Sequence, residues 1–246
     1  MNDIQYLDRG DGLRLAYRHR KGAGPTIVFL PGYMSDMEGT KAVALWEWAG
    51  AEGRPMLRFD YSGCGASEGP FEDGTLDRWR DDALAMIDRV AEGPVVLVGS
   101  SMGGWLMLLA ALARPERVKA LVGIAAAPDF TNWGFTDEEK ARIKSHGRIE
   151  EPSEYDEAPY VTTFRFWESG ERNRVLTDEI GIDVPVRLLH GHDDKDVPWP
   201  ISAKLANTLR SDDVRTVLVK GGDHRLSRVQ DLGLLLTTVA ELLEAE

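Results

Sequence analysis

Short apolar runs of strand length alternate with helix-length amphipathic segments along most of this chain. The later runs are rich in Val, Ile and Leu, as expected for strands buried on both faces of a sheet. They lie at 26–30, 55–60, 95–98, 118–124, 184–190 and 214–219. Two shorter runs at 4–8 and 13–18, joined by the turn signal Arg9 to Gly12, predict an antiparallel pair at the start.

The segments between the strands show the spacing of amphipathic helices. Ala42, Leu45, Trp46 and Ala49 follow i, i+3, i+4 and i+7 and therefore share one helix face. Helices are predicted at about 39–51, 79–90, 106–114, 201–209 and 229–243. Strands that alternate with helices in this way predict an α/β fold, with a mostly parallel eight-stranded sheet and helices on both faces.

The alternation breaks between about 128 and 183, where the chain is irregular and charged. A structureless loop of this length would be improbable inside a compact domain. We therefore expect a single domain over 1–246 with an inserted helical cap at about 128–183, of which 137–144 is the clearest helix. Its aromatic residues would face a pocket, although packing onto the body is the more ordinary role for any one of them. They are Trp133, Phe135, Tyr160, Phe164, Phe166 and Trp167.

Composition narrows the class of protein. The formal charge of −12 argues against binding to nucleic acid or to an anionic membrane. Cys64 is the only cysteine, so an internal disulfide and a cysteine zinc site are both excluded. The first residues show no signal-peptide or transit-peptide pattern, and the most apolar segment, 105–113, is too short to span a bilayer. These features predict a cytoplasmic protein without stable membrane insertion.

One glycine-rich turn carries the strongest chemical signal. Residues 99–103 read G-S-S-M-G, a G-x-S-x-G motif between a predicted strand and a predicted helix, which is the context of a nucleophile elbow. Ser101 fits the serine position, whereas Ser100 would need glycines where Val98 and Met102 stand. The alternative is an ordinary glycine-rich turn between strand and helix, since short matches to the motif occur by chance.

A serine nucleophile needs a base, and His224 is the best placed of the five histidines. It follows the last predicted strand, and the order Ser, acid, His is the one that α/β hydrolases use. His190 ends a buried strand, where a hydrogen-bonded structural role is expected. His19 and His146 are expected at the surface.

The acid that would orient His224 lies in the loop after Gly191, where spacing alone leaves Asp193, Asp194 and Asp196 open. The rival interpretation is a metal site built from His192 and these carboxylates, but no second cluster of ligands accompanies them. We therefore expect neither a metal nor an organic cofactor.

An oxyanion hole needs two backbone N–H groups near the nucleophile. The residue after Ser101 is Met102, and the loop after the strand at 26–30 supplies Tyr33. The apolar neighbours Met34 and Trp105, together with the cap aromatics, predict a hydrophobic acyl pocket.

Five segments together resemble the α/β-hydrolase superfamily, and within it a group of mitochondrial palmitoyl-protein thioesterases that also act as acyl-glucuronide esterases. The segments are FLPGYMSDMEGTKA, RFDYSGCGASEG, VLVGSSMGGWLMLLAALARP, RLLHGHDDKDVPW and DHR. The likeness covers nearly the whole chain and is weakest in the cap. Because the chain shows no transit-peptide pattern, the mitochondrial address of that group is not carried over.

The resemblance also assigns residues. The family's G-x-x-D-x-x-V-P pattern is matched by Gly191, Asp194, Val197 and Pro198, which selects Asp194 as the triad acid. It supports Ser101 and His224 as its partners, with the oxyanion hole at Tyr33 and Met102. The family's D-x-x-G-x-G-x-S loop, which shapes the floor near the site, is matched by Asp60, Gly63, Gly65 and Ser67.

The expected activity is therefore serine-dependent hydrolysis of a carboxylic ester or thioester through an acyl-enzyme. The substrate would be a small molecule or an acylated protein. The alternatives are a non-catalytic binding module on the same scaffold, an aminopeptidase or a C–C hydrolase.

Overall fold

The computed structural model of the protein describes residues 3–152 and 159–244. Its strands are β1 Gln5–Asp8, β2 Arg14–Arg20, β3 Thr26–Leu30, β4 Met56–Phe59, β5 Val95–Ser100, β6 Val118–Ile124, β7 Arg148–Glu151, β8 Tyr160–Thr163, β9 Val186–Gly191 and β10 Val214–Val219. Within these ranges, eight of the strands form one sheet in the order β1-β2-β4-β3-β5-β6-β9-β10. β2 pairs antiparallel with β1 and β4, and the other neighbours are parallel.

Helices cover the sheet on both faces. They are α1 Thr40–Ala51, α2 Leu76–Arg89, α3 Met102–Ala113, α4 Phe130–Trp133, α5 Asp137–His146, α6 Phe164–Arg172, α7 Pro200–Thr208 and α8 Val229–Glu244. One buried apolar layer packs α2, α3 and α7 against the sheet, and a second packs α1 and α8 against the other face. The predicted α/β-hydrolase fold, with a mostly parallel eight-stranded sheet, is confirmed.

The segment between β6 and β9 carries more than the predicted short helices. α4, α5 and α6 lie there, and β7 and β8 pair as an antiparallel ladder in which Arg148 is opposite Thr163. The ladder was not predicted, because strands of four residues with two glutamates in β7 lack an apolar strand pattern. Residues 153–158 of the predicted insertion lie outside the described residues. The division into one domain with a cap at 128–183 stays a prediction.

The parallel strands bring four loops to one edge of the sheet. Leu30 at the end of β3 is opposite Gly99 in β5, and Gly191 at the end of β9 is opposite Val219 at the end of β10. The loops that follow these strands therefore open at the same carboxyl edge, where α/β sheets collect functional groups.

Candidate active site

Ser101 lies between β5 and α3 in a backbone conformation that L-residues rarely adopt. Its φ is 53° and its ψ is −119°, and it is the N-cap residue of α3. A strained residue at a strand-to-helix junction costs free energy and persists only where its surroundings fix it. Part of that support is a 2.9 Å hydrogen bond from the Ser101 N–H to the carbonyl oxygen of Ile124.

The two motif glycines are required by close backbone contacts. A Cβ on Gly99 would collide with the carbonyl of Gly103, and a Cβ on Gly103 would collide with the carbonyl oxygen of Leu30. Both obstacles are backbone atoms, which cannot move aside as a flexible side chain can. The motif therefore reflects a turn that only glycine can occupy on either side of Ser101.

His224 and Asp194 form a hydrogen-bonded pair. Nδ1 of His224 lies 2.9 Å from Oδ2 of Asp194. The carboxylate is fully buried, whereas the His224 side chain keeps 17% of its surface exposed. Oδ1 of Asp194 accepts from the backbone N–H groups of Asp196 and Val197, each at 2.9 Å.

The surroundings of Asp194 favour its ionised form. Burial alone would raise the pKa of Asp194, but the hydrogen bonds from His190, His224 and the Val197 N–H hold it well below its usual range. The site thus presents a buried, ionised carboxylate to one ring nitrogen of His224. This is the arrangement that fixes the tautomer and orientation of a general base.

The neighbouring aspartates are placed differently. Asp193 is 65% exposed and contacts His192 at 3.1 Å, and the His192 ring stacks on Trp199. Asp196 offers a carboxylate oxygen within 4.8 Å of the ligand atoms of Asp194 and His224. A cation held there would use the same atoms as the Asp194–His224 hydrogen bond, so the two arrangements compete.

Ser101 and His224 line one cavity of about 570 Å³, which falls in the range of small-molecule sites. The cavity lies between the carboxyl edge of the sheet and the segment that follows β6. Its other lining residues are Gly32, Tyr33, Met34, Ser35, Lys41, Ser100, Ala127, Phe130, Trp133, Gly134, Phe135, Glu151, Pro152, Tyr160, Thr162, Asp196, Val197 and Arg225.

Two backbone N–H groups near Ser101 are available as oxyanion donors. Met102 is the first residue of α3, where the helix itself offers no acceptor to the N–H. Tyr33 lies in the loop after β3. Within the part of the chain that the structure describes, no backbone carbonyl accepts from either N–H.

The predicted pocket residues divide into two groups. Met34 lines the cavity and is 37% exposed. Trp105 is fully buried, belongs to the core layer and does not reach the described lining, which corrects the expectation that it lines the pocket. Its indole N–H donates to the carbonyl oxygen of Asn173, and its ring contacts Phe130 edge-on, so it supports the wall from behind.

The aromatic residues of the cap also divide. Trp133, Phe135 and Tyr160 line the cavity, as the cap hypothesis expected of the group. Phe166 and Trp167 are buried in packing contacts, and Phe164 packs beside Trp167. Those three serve the ordinary structural role that a single cap aromatic was expected to have.

Lys41 is a cavity residue that the sequence did not reveal. Its ammonium donates to the carbonyl oxygen of Arg225 at 2.6 Å, directly after His224 in the chain. Burial lowers the pKa of Lys41 to about 8. In the sequence this lysine is one polar position at the start of an amphipathic helix, and no local pattern marks it.

Comparison with known proteins gives consistent results. The model of the alpha/beta hydrolase family matches residues 27–233. The chain is 43% identical over 245 residues to the Homo sapiens protein named palmitoyl-protein thioesterase ABHD10, mitochondrial, covering 98% of this chain and 80% of the relative. Mouse alpha/beta hydrolase domain-containing protein 10 has a solved structure with a TM-score of 0.93 and 43% identity, covering 98% of both chains. A solved Agrobacterium vitis S4 protein is 39% identical with a TM-score of 0.93, covering 98% of this chain and 99% of that one.

The prediction of a cytoplasmic protein is wrong. The mammalian relatives are named as mitochondrial proteins. The prediction depended on the charge pattern of the first residues, and that pattern does not report the compartment of this protein. A separate finding agrees with the expected lack of membrane insertion: over residues 3–152 and 159–244, no helix has both the length and the apolar character that crossing a bilayer requires.

Proposed function

This chain belongs to the alpha/beta hydrolase family, and on that basis we propose that it is a serine hydrolase that cleaves carboxylic esters or thioesters through an acyl-enzyme. The observation that carries the proposal is the hydrogen-bonded His224–Asp194 pair, which shares a cavity with the strained Ser101. A serine is a weak nucleophile at neutral pH and needs such a base to be activated.

In the proposed reaction, Oγ of Ser101 attacks the substrate carbonyl carbon while Nε2 of His224 takes the hydroxyl proton. Asp194 accepts the Nδ1–H hydrogen bond and stabilises the imidazolium that forms. The backbone N–H groups of Tyr33 and Met102 donate to the oxyanion, a contribution typically worth ~10²–10³ in rate for each donor. His224 then gives its proton to the departing alcohol or thiol.

The second half of the reaction regenerates Ser101. Water attacks the acyl carbon as His224 removes its proton, and the tetrahedral intermediate expels Ser101, which regains a proton from His224. The products are a carboxylic acid and the free alcohol or thiol. Atoms and charges balance without a metal or an organic cofactor.

For the substrate, we propose an acyl thioester or ester with an extended apolar acyl chain, such as an acylated protein or a small acyl compound. The mammalian relatives at 42–44% identity are named palmitoyl-protein thioesterases. The cavity wall also offers apolar surface from Met34, Phe130, Trp133 and Phe135. Each buried CH₂ group contributes ~0.8 kcal/mol, so a longer chain binds more tightly until the cavity is full.

The test is one series of acyl chains from acetyl to palmitoyl, each presented both as an ester and as the matched thioester. We expect kcat/KM to rise with chain length and then level off, with Ser101→Ala defining the background rate. A flat profile would contradict the apolar acyl pocket. Turnover of amides or of C–C substrates above that of every ester and thioester would favour an aminopeptidase or a C–C hydrolase.

A further inference from the structure

The carboxylate of Asp194 is contacted by a second histidine, which the reaction described above does not use. His190 is the fifth residue of β9 and is fully buried. Its Nε2 lies 2.9 Å from the carbonyl oxygen of Val197 and 3.2 Å from Oδ2 of Asp194. Its Nδ1 lies 2.7 Å from Oγ of Ser202 in α7.

These contacts fix where the ring proton of His190 lies. The two neighbours of Nε2 are a carbonyl oxygen and an ionised carboxylate oxygen, and both can only accept. Nε2 therefore carries the hydrogen. In the neutral ring Nδ1 then has to accept, so the Ser202 hydroxyl donates to it and selects this tautomer.

The neutral ring is also the form compatible with turnover. His224 becomes an imidazolium when it takes the proton of Ser101, and it shares Oδ2 of Asp194 with His190. A second imidazolium at the same oxygen would repel the first. The buried Ser202 hydroxyl, 1% exposed, keeps Nδ1 of His190 occupied as an acceptor.

We propose that Ser202 and His190 are positioning residues that set the orientation and basicity of His224 through Asp194, an inference that rests on the proposed function of this site. Four N–H groups then hold the carboxylate, from His190, His224, Asp196 and Val197. The N–H of His190 draws charge away from Oδ2. Its loss leaves more charge to hold the proton on His224, so the base becomes protonated at higher pH.

The variants separate a positioning role from a packing role. His190→Leu removes the donor, whereas His190→Gln returns an N–H to about the place of Nε2. Ser202→Ala leaves the ring in place and removes the hydroxyl that selects its tautomer. Thr26→Val is the matched control, because Thr26 is also 1% exposed but its hydroxyl donates to Glu92 at the amino end of β3, away from the site.

We expect kcat to fall roughly tenfold in Ser202→Ala and further in His190→Leu, comparable to the loss of outer hydrogen-bond partners at metal sites. KM should stay near its wild-type value, since neither residue belongs to the described cavity lining. The acid limb of kcat/KM should move to higher pH in both variants and return toward wild type in His190→Gln. The other charged residues lining the cavity are unchanged in all of these variants: Lys41, Glu151, Asp196 and Arg225.

A second readout is the low-field proton resonance of the His224 Nδ1–H. It should shift in His190→Leu and Ser202→Ala, and stay in place in Thr26→Val. The proposal is overturned if the resonance and the acid limb are unchanged in folded Ser202→Ala, or if Thr26→Val moves them equally. If His190→Leu fails to fold, Ser202→Ala decides the question.

Failure of the proposed function would look different. In that case Ser101→Ala would retain turnover, while the NMR experiment would still report whether Ser202 and His190 act on the ring of His224.

Discussion

The phenol of Tyr33 donates a hydrogen bond to the carbonyl oxygen of Val161 at 2.5 Å, across 128 residues of chain. Tyr33 belongs to the loop after β3, and Val161 to β8 in the segment after β6. The Tyr33 ring also packs against Phe71, Trp79, Phe130 and Phe166. One side chain therefore joins the loop that would supply an oxyanion donor to the wall above the cavity.

Tyr33→Phe tests this connection, because it keeps the aromatic packing and removes only the hydroxyl. We expect a loss of roughly 1 kcal/mol in unfolding free energy, typical for one hydrogen bond. The backbone N–H stays in place, so kcat should fall far less than for removal of an oxyanion donor. Denaturant unfolding and steady-state kinetics measure both effects. Tyr17→Phe is the control, since its hydroxyl contacts Gln5 at 3.2 Å at the surface; an equal stability loss there would contradict a special role for Tyr33.

Gly103→Ala should damage the turn that positions Ser101. Its new Cβ would meet the carbonyl oxygens of Leu30 and Pro31. We expect a loss of roughly 1–3 kcal/mol in unfolding free energy or more, as for overpacked cores, accompanied by reduced activity. Gly233→Ala in α8 is the matched control: no atom lies within 4 Å of its added Cβ, and it should gain up to ~1 kcal/mol. A neutral Gly103→Ala would contradict the steric account of the motif.

Asp194→Asn should separate the three aspartates that spacing left open. The amide cannot stabilise the imidazolium and favours the wrong tautomer, and a comparable change in a serine protease costs ~10⁴-fold in kcat. Asp193→Asn changes an exposed carboxylate that contacts His192, and it should leave kcat near wild type. Steady-state kinetics on one ester compares the two. Loss of activity in Asp193→Asn with retention in Asp194→Asn would reverse the assignment.

Asp60 gives the protein a pH-dependent stability term. Its buried carboxylate accepts from the N–H groups of Met37 at 2.7 Å and Ala66 at 2.8 Å. Burial raises the pKa of Asp60 from 3.8 to about 6, against the lowering effect of those two hydrogen bonds. The folded protein therefore holds this proton more tightly than the unfolded chain does. The stabilising contribution is fully present below pH 3.8 and is lost as pH rises through about 6.

Comparison of wild type with Asp60→Asn isolates this term, because the other titrating groups are shared. Between pH 4 and pH 7, the unfolding free energy of wild type relative to the variant should fall by roughly 3 kcal/mol, at about 1.4 kcal/mol for each pKa unit. Denaturant unfolding at a series of pH values measures the difference. A difference independent of pH would show that Asp60 titrates normally in the folded protein.

Much of the architecture was predictable because buried parallel strands are continuous apolar runs. Each of the six later strands was expected within about three residues of where it lies, and α1 packs the predicted face of Ala42, Leu45, Trp46 and Ala49. The elbow was predictable for a different reason. A turn that excludes every Cβ on either side of Ser101 leaves a fixed pair of glycines in the sequence.

The remaining features depend on tertiary contacts that no local pattern encodes. Trp105 has the composition of a pocket residue, yet its position on α3 turns it into the core. Lys41 reaches the cavity only because α1 begins beside the loop that carries His224 and Arg225. The contact between His190 and Asp194 joins residues four apart in a loop whose conformation the sequence left undetermined.

The central claim is that Ser101 is an activated nucleophile, and covalent labelling by a fluorophosphonate tests it most directly. An unactivated serine does not react with this reagent, so mass spectrometry of the intact protein and of its peptides reports both the reaction and its position. The account predicts one label on Ser101 in wild type and in the neighbouring Ser100→Ala control, no label in Ser101→Ala, and slow labelling in Asp194→Asn. Full labelling of Ser101→Ala, or an unlabelled wild type that still hydrolyses esters, would contradict it.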